Sequence, residues 1–484
     1  MRVLLVKPAS KQCQAAPPLG LMYISSLLKT RYSDVGVRII DLRLVRDAYK
    51  RYSKEIKEWK PDVIGITVMS GDIPDVERLT ACAKVALPEI HVCCGGPHPT
   101  HMPEDFDTLR NVDSIVSGEG EYSFLRLIEI LTNGGIRKCG SEKGISIRGE
   151  DGMLRFAGKS DPIKDLDSLP FPDWDTIDIK RYSKLPQFNG IIAGRRYMPV
   201  LTSRGCPFQC IFCHNIFGKS VRLRSAENVV EEITRLAKGY QVDEIQVFDD
   251  IFNINRERLI KICDLIIEKN LDIKISFPNG VRADLLDEEM IKKLKQAGTY
   301  SLTFAIETTS ERLQRMIKKN LNIERARQAI IISRRYGVIN SGFFMIGFPT
   351  ETVGEMKTTI DFAMKLPIDI VSISTVIPFK GTDLYRIACD DIGKEKLDTL
   401  SNHYFGASRE SYYFLSTGYN IQRLQRNAYI RFYLNPIRLI IRLYRIPRKI
   451  SYMRQFAAHI RDHIHFHLNH RHWRFKLAGL TILK

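Results

Sequence analysis

The feature that most constrains this chain is an alternation of short β-branched runs with helical patterns, arranged as two series separated by one interruption. Strand, helix and strand in that order close into parallel sheets with helices on their faces. The first series places strands at 2–7, 37–41, 62–68, 91–94 and 114–116, with helical patterns at 19–29, 54–60, 75–86 and beyond 121. The second places strands at 199–203, 244–248, 273–278, 301–306, 341–346 and 370–376, with helices such as 226–238, 288–297 and 351–365. Between them lie a Gly-rich hairpin pattern (144–149, then from Gly152) and an irregular stretch rich in Asp and Pro. Such a segment breaks the rhythm and reads as a connection between domains. The expectation is an α/β fold: an N-terminal doubly wound, Rossmann-like parallel sheet over 1–135, a linker with a small hairpin over 136–197, a partial (βα)6 TIM-like barrel over 198–400, and a helical basic region over 401–484.

Composition agrees. The 484 residues exceed one compact core, taking about 150 residues per domain. With 44% hydrophobic and 26% charged residues the chain is globular. Ten cysteines are too sparse for a disulfide scaffold. The apolar stretch before Lys7-Pro8 is too short for a signal-peptide core, and no run of about 18 apolar residues predicts a membrane span. The expected setting is a reducing cytoplasm, where clustered cysteines bind metals or catalyse rather than pair.

One such cluster leaves the first strand of the second series: Ser203-Arg-Gly-Cys206-Pro-Phe-Gln-Cys210-Ile-Phe-Cys213-His214-Asn215. Loops at the C-terminal ends of barrel strands form the active face. Three thiolates spaced C-x3-C-x2-C can each take one iron of a four-iron cluster, leaving the fourth iron open. An open position is what a catalytic metal site keeps and a structural site closes. The competing reading is structural zinc, which wants paired C-x2-C hooks and a fourth ligand; His214 lies too close in sequence to complete a tetrahedron. The remaining cysteines (Cys13, Cys82, Cys93, Cys94, Cys139, Cys263, Cys389) are scattered and read as small core residues.

This motif, after the first strand of a six-unit partial barrel, resembles the signature of the radical S-adenosylmethionine (SAM) enzymes, over about 199–382. The resemblance implies that Cys206, Cys210 and Cys213 hold a [4Fe–4S] cluster whose open iron is chelated by the amino and carboxylate groups of SAM. One electron then cleaves SAM to methionine and a 5′-deoxyadenosyl radical. It also implies Phe212 near the adenine. Val247-Phe-Asp249-Asp250-Ile-Phe252 occupies the second strand end, where many relatives carry Gly-Gly-Glu for the SAM amino group. Here the glycines are replaced, and either Asp249 or Asp250 takes that work or the Asp is a helix N-cap. Asn279-Gly280-Val-Arg282-Ala-Asp284 and Ala305-Ile-Glu307-Thr-Thr-Ser310 look like the family's SAM-contact segments, through Arg282 and Glu307. Gly347-Phe-Pro349 and Pro378-Phe-Lys-Gly-Thr382 complete strands five and six.

The first series resembles the cobalamin-binding domain that precedes the barrel in one radical SAM class. The matching residues are Pro17-Pro18-Leu19-Gly20, Gly95-Gly96-Pro97-His98-Pro-Thr100 and Gly118-Glu119-Gly120-Glu121. The resemblance implies cobalamin against Leu19, Gly20, Ser70, Gly95, Gly96 and Glu119. Gly95 and Gly96 permit close backbone approach to a flat corrinoid or its nucleotide tail, and Ser70 can donate to that tail. Free-standing cobalamin domains carry an Asp-x-His-x-x-Gly loop, but 10–17 contains neither Asp nor His. Cobalamin would then lack a His on its lower face; a domain that keeps the fold without the cofactor is the alternative. His98 reads as a turn residue bonding locally.

The net charge of +18 is concentrated at the end. Residues 421–484 hold fourteen Lys and Arg against the single acid Asp462. In 436–446, Ile437, Ile440, Ile441 and Tyr444 fall at i, i+3, i+4, i+7, with Arg438, Arg442 and Arg445 on another face. That suits a helix lying in an anionic membrane interface, or equally a helix packed on the barrel with a solvated basic face. His459, His463, His467 and His470 fall near one helical face and read as weakly cationic rather than metal-binding.

The leading expectation is a cobalamin-dependent radical SAM enzyme that functionalises, in the first reading by methylation, an unactivated carbon. A radical cyclase or rearrangement enzyme of the tetrapyrrole cyclase type is the alternative. A non-catalytic cluster- or corrinoid-binding sensor is the opposing class, disfavoured by the complete series of strand ends. The expected partners are a small-molecule or lipid-like substrate, an external electron donor of flavodoxin or ferredoxin type, and peripheral contact with the inner face of the membrane. No nucleic-acid module accompanies the charge.

Overall fold

The computed structural model describes residues 1–9, 16–133, 142–185, 191–213, 216–400 and 411–450. Among the described residues, the strands form two six-stranded sheets and one two-stranded clip. The first sheet takes β1 (Arg2–Lys7), β2 (Gly36–Asp41), β3 (Val63–Thr67), β4 (His91–Gly95), β5 (Ser114–Val116) and β6 (Ile145–Ile147) in the order β2-β1-β3-β4-β5-β6. Val3 to Val6 are buried on both faces, as a parallel strand covered by helices must be. Helices α1 (Leu19–Arg31) and α2 (Gly120–Thr132) pack side by side on one face, and Leu21, Leu28, Phe124 and Leu127 join Leu5 and Val63 in one apolar cluster. The strand order reverses between β1 and β3, the crevice where open α/β sheets bind ligands.

The hairpin pattern of the connecting segment turns out differently from a free-standing linker. Its Ile145-Ser-Ile147 is wholly buried and adds to the first sheet antiparallel to β5, with Ile115 opposite Ser146. A short apolar strand here covers an edge that β5 would otherwise leave unpaired.

The second sheet is β7 (Tyr197–Val200), β8 (Glu244–Val247), β9 (Lys274–Val281), β10 (Thr299–Glu307), β11 (Ile339–Ile346) and β12 (Ile370–Thr375). All are parallel and lie in chain order, an open, partial barrel. Helices such as α3 (Ala226–Gly239), α4 (Ile323–Arg335) and α5 (Val353–Lys365) wrap its outside. Sequence-local caps start them: the Ser225 hydroxyl accepts from Asn228 N–H, and Thr352 with Glu355 forms a capping box.

The outer edge of β12 is sealed by α6 (Gln422–Tyr433). Tyr429 and Tyr433 hydroxyls and the Gln425 amide bond to backbone groups of Val371 and Ile373 at 2.6–3.3 Å. Beyond it, α7 (Pro436–Arg445) crosses beneath the barrel, where Arg438 and Arg445 reach carbonyls at the strands' N-terminal ends. No helix among the described residues is long and apolar enough to cross a membrane. The histidine series 459–472 lies outside the described residues.

Candidate active site

The cysteine loop leaves the clip formed by Ser203–Arg204 and Arg222–Leu223. Its backbone is tied to the barrel: Ile211 N–H donates to Ile317 C=O at 3.1 Å, and Leu384 N–H donates to Ile211 C=O at 2.9 Å. Ile211 is buried among Leu313, Ile317, Phe348, Val376 and Leu384. Phe208 lies under the Arg282 guanidinium at 3.6 Å, a cation–π contact that fixes one shoulder of the loop. The Cys213 thiol donates to Cys210, which lowers the Cys210 thiol and raises that of Cys213; Lys319 and Arg282 add positive charge on the Cys210 side. Burial pushes the Cys206 thiol up. Positive charge beside thiols favours the thiolate that binds metal. Three soft thiols within one eight-residue loop, with the cationic Lys319 and Arg282 beside Cys210, are a donor set that fits a four-iron cluster, in which each thiolate takes its own iron.

The strand ends around this loop carry the predicted SAM residues in different conditions. Asp249 is buried and accepts three hydrogen bonds, from Thr202 N–H at 2.6 Å, from the Thr202 hydroxyl and from the Ser203 hydroxyl at 2.6 Å. It braces the chain entering the cysteine loop, which leaves Asp250 as the exposed member of the expected pair. Asp250 is exposed at the mouth. Its carboxyl is pushed up to about 6 by the surrounding protein and by Asp249, and it accepts from Gly205 N–H one residue before Cys206. Arg282 pairs with Asp284 at 3.0 Å and donates to Asn320 C=O at 3.1 Å. Glu307 sits at the end of β10 with φ 68°, where the register with β11 shifts. A non-glycine residue held there is strained, a state typical of functional sites. Its carboxylate pairs with Lys319 at 2.9 Å, both side chains about nine-tenths buried. The Lys319 ammonium stands 6.0 Å from the Phe212 ring, which packs on Phe348 at 6.0 Å.

The predicted cobalamin residues line the C-terminal edge of the first sheet. Gly20, in the first turn of α1, has open space where a Cβ would project; Leu19 beside it is buried. Gly96 has φ 100°, and a Cβ there would lie 2.9 Å from the Thr67 hydroxyl. The backbone must be bare at that turn. Ser70 is exposed at the mouth of the β1–β3 crevice, with Lys7 and Asp72 paired at 2.8 Å behind it. His98 is turned inward, bonded to the Ser70 hydroxyl at 3.1 Å and facing Asp105 at 3.0 Å. The Gly96 turn, whose space a Cβ would fill, is a stretch of bare backbone that fits close approach of a corrinoid. Residues 10–15 of the loop after β1 lie outside the described residues.

Glu119 departs from expectation. Its two oxygens take Arg204 at 2.7 Å and Arg222 at 2.6 Å, and Glu121 takes the other side of Arg204 at 2.5 Å. All four side chains are more than nine-tenths buried. The Gly118–Glu121 turn is thus the inner half of a clasp between the sheets, and its carboxylate has no face toward a cofactor. Arg204 and Arg222 lie opposite each other, one in each strand of the clip that presents the cysteines. Sequence reasoning missed Arg204, Arg222, Glu121 and Lys319. The signal for Arg204 was its place two residues before Cys206; Lys319 had none. It also missed Glu351, whose Oε2 accepts from Gly347 and Phe348 N–H at 2.6 and 2.9 Å while Oε1 is buried without a partner.

A partial barrel with three thiols on its first loop, clasped to a sheet domain with a glycine-built edge, defines a two-cofactor iron–sulfur enzyme. Comparison with known proteins agrees. Residues 200–363 match the family model of the radical SAM superfamily, and 13–128 match the B12 binding domain. An uncharacterized methyltransferase of Pyrococcus horikoshii is 33% identical over 91% of this chain and 94% of its own length. Cytidylyl-2-hydroxyethylphosphonate methyltransferase of Streptomyces wedmorensis is 30% identical over 76% and 77%. The fold is shared with the cobalamin-dependent SAM radical enzyme OxsB, at TM-score 0.71 and 18% identity over 96% of this chain and 72% of that one. The chain belongs to the radical SAM superfamily and carries its B12-binding domain ahead of the barrel.

Proposed function

We propose that the protein is a cobalamin-dependent radical SAM methyltransferase acting on an unactivated carbon of a small-molecule or lipid-like substrate. The observation that carries this reading is the buried clasp, which ties the clip bearing the cysteine loop to the Gly118–Glu121 turn at the end of β5 and so joins the two cofactor domains. When bound, the cluster and SAM would supply the chemistry of hydrogen abstraction and cobalamin that of methyl transfer. Cys206, Cys210 and Cys213 hold the cluster as thiolates, with Lys319 and Arg282 offsetting their charge. Asp250 would hold the SAM ammonium, Phe212 would lie near the adenine, and Arg282 and Glu307 would line the rest of the SAM site. Leu19, Gly20, Ser70, Gly95 and Gly96 bed the corrinoid. An external one-electron donor, a cytoplasmic setting and peripheral contact of the basic C-terminal region with a membrane belong to the same proposal.

The test is anaerobic reconstitution. The protein is expected to take up about four irons per chain, to bind cobalamin, and to cleave SAM once reduced by dithionite. Mass spectrometry of extracts from a deletion strain should reveal a product lacking a methyl group. A missing ring closure with no methyl difference would assign the chain to the cyclase reading instead.

A further inference from the structure

Helix α7 is turned the opposite way from an ordinary surface amphipathic helix. Its arginine stripe faces the protein. Arg438 donates to Ile368 C=O at 3.0 Å, to Leu366 C=O at 3.1 Å and to Met364 C=O. Arg445 donates to Asp369 at 3.1 Å and to Val338 C=O at 2.5 Å. Arg442 is only 4% exposed, over the Tyr433 ring at 4.6 Å. These carbonyls end α5 and precede β11 and β12, where helix C-termini gather partial negative charge that attracts guanidinium groups. The apolar stripe is therefore forced outward: Ile437 is 68%, Ile440 69% and Tyr444 84% exposed, with Ile441 beside them.

Several large apolar side chains together on one solvent-facing helix mark a contact surface. The charge around it selects the occupant. Of the eight Lys and Arg in 421–450, Arg431 pairs with Asp361, Arg438, Arg442 and Arg445 face the protein, and Arg448 donates to Gly194 C=O, which leaves Arg423, Arg426 and Lys449 exposed, with six more cations in 451–484 against Asp462. A second copy docked symmetrically would set two such surfaces of one sign against each other. An anionic bilayer complements both the charge and the apolar stripe.

We infer that α7 is the face on which the protein lies against an anionic lipid bilayer, Ile437, Ile440, Ile441 and Tyr444 entering the interface while Lys449 meets headgroups. This deepens the membrane part of the proposed function and is independent of its methyl-transfer part. The arginine stripe that suggests a membrane helix in the sequence is spent on docking α7, and insertion falls to the isoleucines. Because α7 lies at the barrel end opposite the cysteine loop, the contact anchors the protein with its cofactor edge turned away from the lipid.

The test is co-sedimentation of the full chain with vesicles of phosphatidylcholine alone and with phosphatidylglycerol added, comparing wild type with the triple variant Ile437→Ser, Ile440→Ser, Tyr444→Ser. These side chains are exposed, so the fold is retained. Wild type should sediment with the anionic vesicles, less so at high salt, and the triple variant should bind about a hundredfold more weakly. Wild type that stays in the supernatant with both vesicles overturns the membrane reading as a whole. Wild type that binds no better than the variant overturns this face alone. A lipid-free dimer by light scattering that the variant dissolves assigns the face to a second copy and overturns the inference.

Discussion

The two cofactor edges are built from different materials. At the barrel edge the side chains are charged and already held: Asp249 by three donors, Arg282 by Asp284, Glu307 by Lys319. At the first-sheet edge the proposed surface is bare backbone at Gly20, Gly95 and Gly96, beside the exposed Ser70, whose hydroxyl bonds His98. The difference teaches what each ligand demands. A cluster and a zwitterion need fixed charges that cost little to reorganise; a large flat ring needs area and close approach. Barrel-edge substitutions should therefore act through charge and coordination, and first-sheet substitutions through sterics.

The largest expected effect is Cys206→Ala, which should abolish both iron uptake and SAM cleavage; retention of either would break the coordination half of the contrast. Next is Arg204→Ala at the seam, which leaves Glu119 and Glu121 buried beside a lone Arg222. Breaking one partner of such a network costs about 3–5 kcal/mol, readable as a lowered urea midpoint of the full chain.

Glu351 sharpens the picture for the loop after β11. Burial pushes its carboxyl up to about 7, despite the Phe348 and Gly347 N–H groups that lower it. The unfolded chain loses this proton near the ordinary glutamate value, so the native state binds the extra proton between roughly 4.5 and 7. Stability should fall as pH rises through that window and level off above it. Glu351→Gln should remove this slope, gaining up to about 3 kcal/mol over wild type between the two ends; parallel urea-midpoint profiles for both proteins would refute it.

At the first-sheet edge, Gly96→Ala meets both the positive φ and the Thr67 hydroxyl, a strain of about 1–3 kcal/mol. Cobalamin uptake should drop about tenfold or more in a spectrophotometric titration, while iron content stays. Smallest is Ser70→Ala, where loss of one hydroxyl already bonded to His98 should weaken cobalamin about fivefold at most.

Much of this was legible because periodicity reports burial. The run Ser114-Ile-Val116 and the helix at 226–238 appear almost as read, since apolar spacing and caps are local properties. The cysteine loop was legible for the same reason: its ligand set lies within eight residues. Longer-range pairings were not. Glu119 carries the same motif whether it faces a corrinoid or an arginine 85 residues away, and Asp249 and Asp250 are neighbours with opposite fates. The strand 145–147 looked like a free hairpin because nothing local says that β5 lacks a neighbour.

The sequence by itself determined two parallel sheets, a three-thiolate loop at a barrel edge and a C-terminal helix with one apolar and one arginine stripe. Only the tertiary structure decided which charges remain available and which stripe faces out. The reason is physical: periodicity encodes which residues share a face, but the direction of that face depends on partners elsewhere. For α7 those partners are the carbonyls of Leu366, Ile368 and Val338 with Asp369, which take the arginines and leave the isoleucines to solvent.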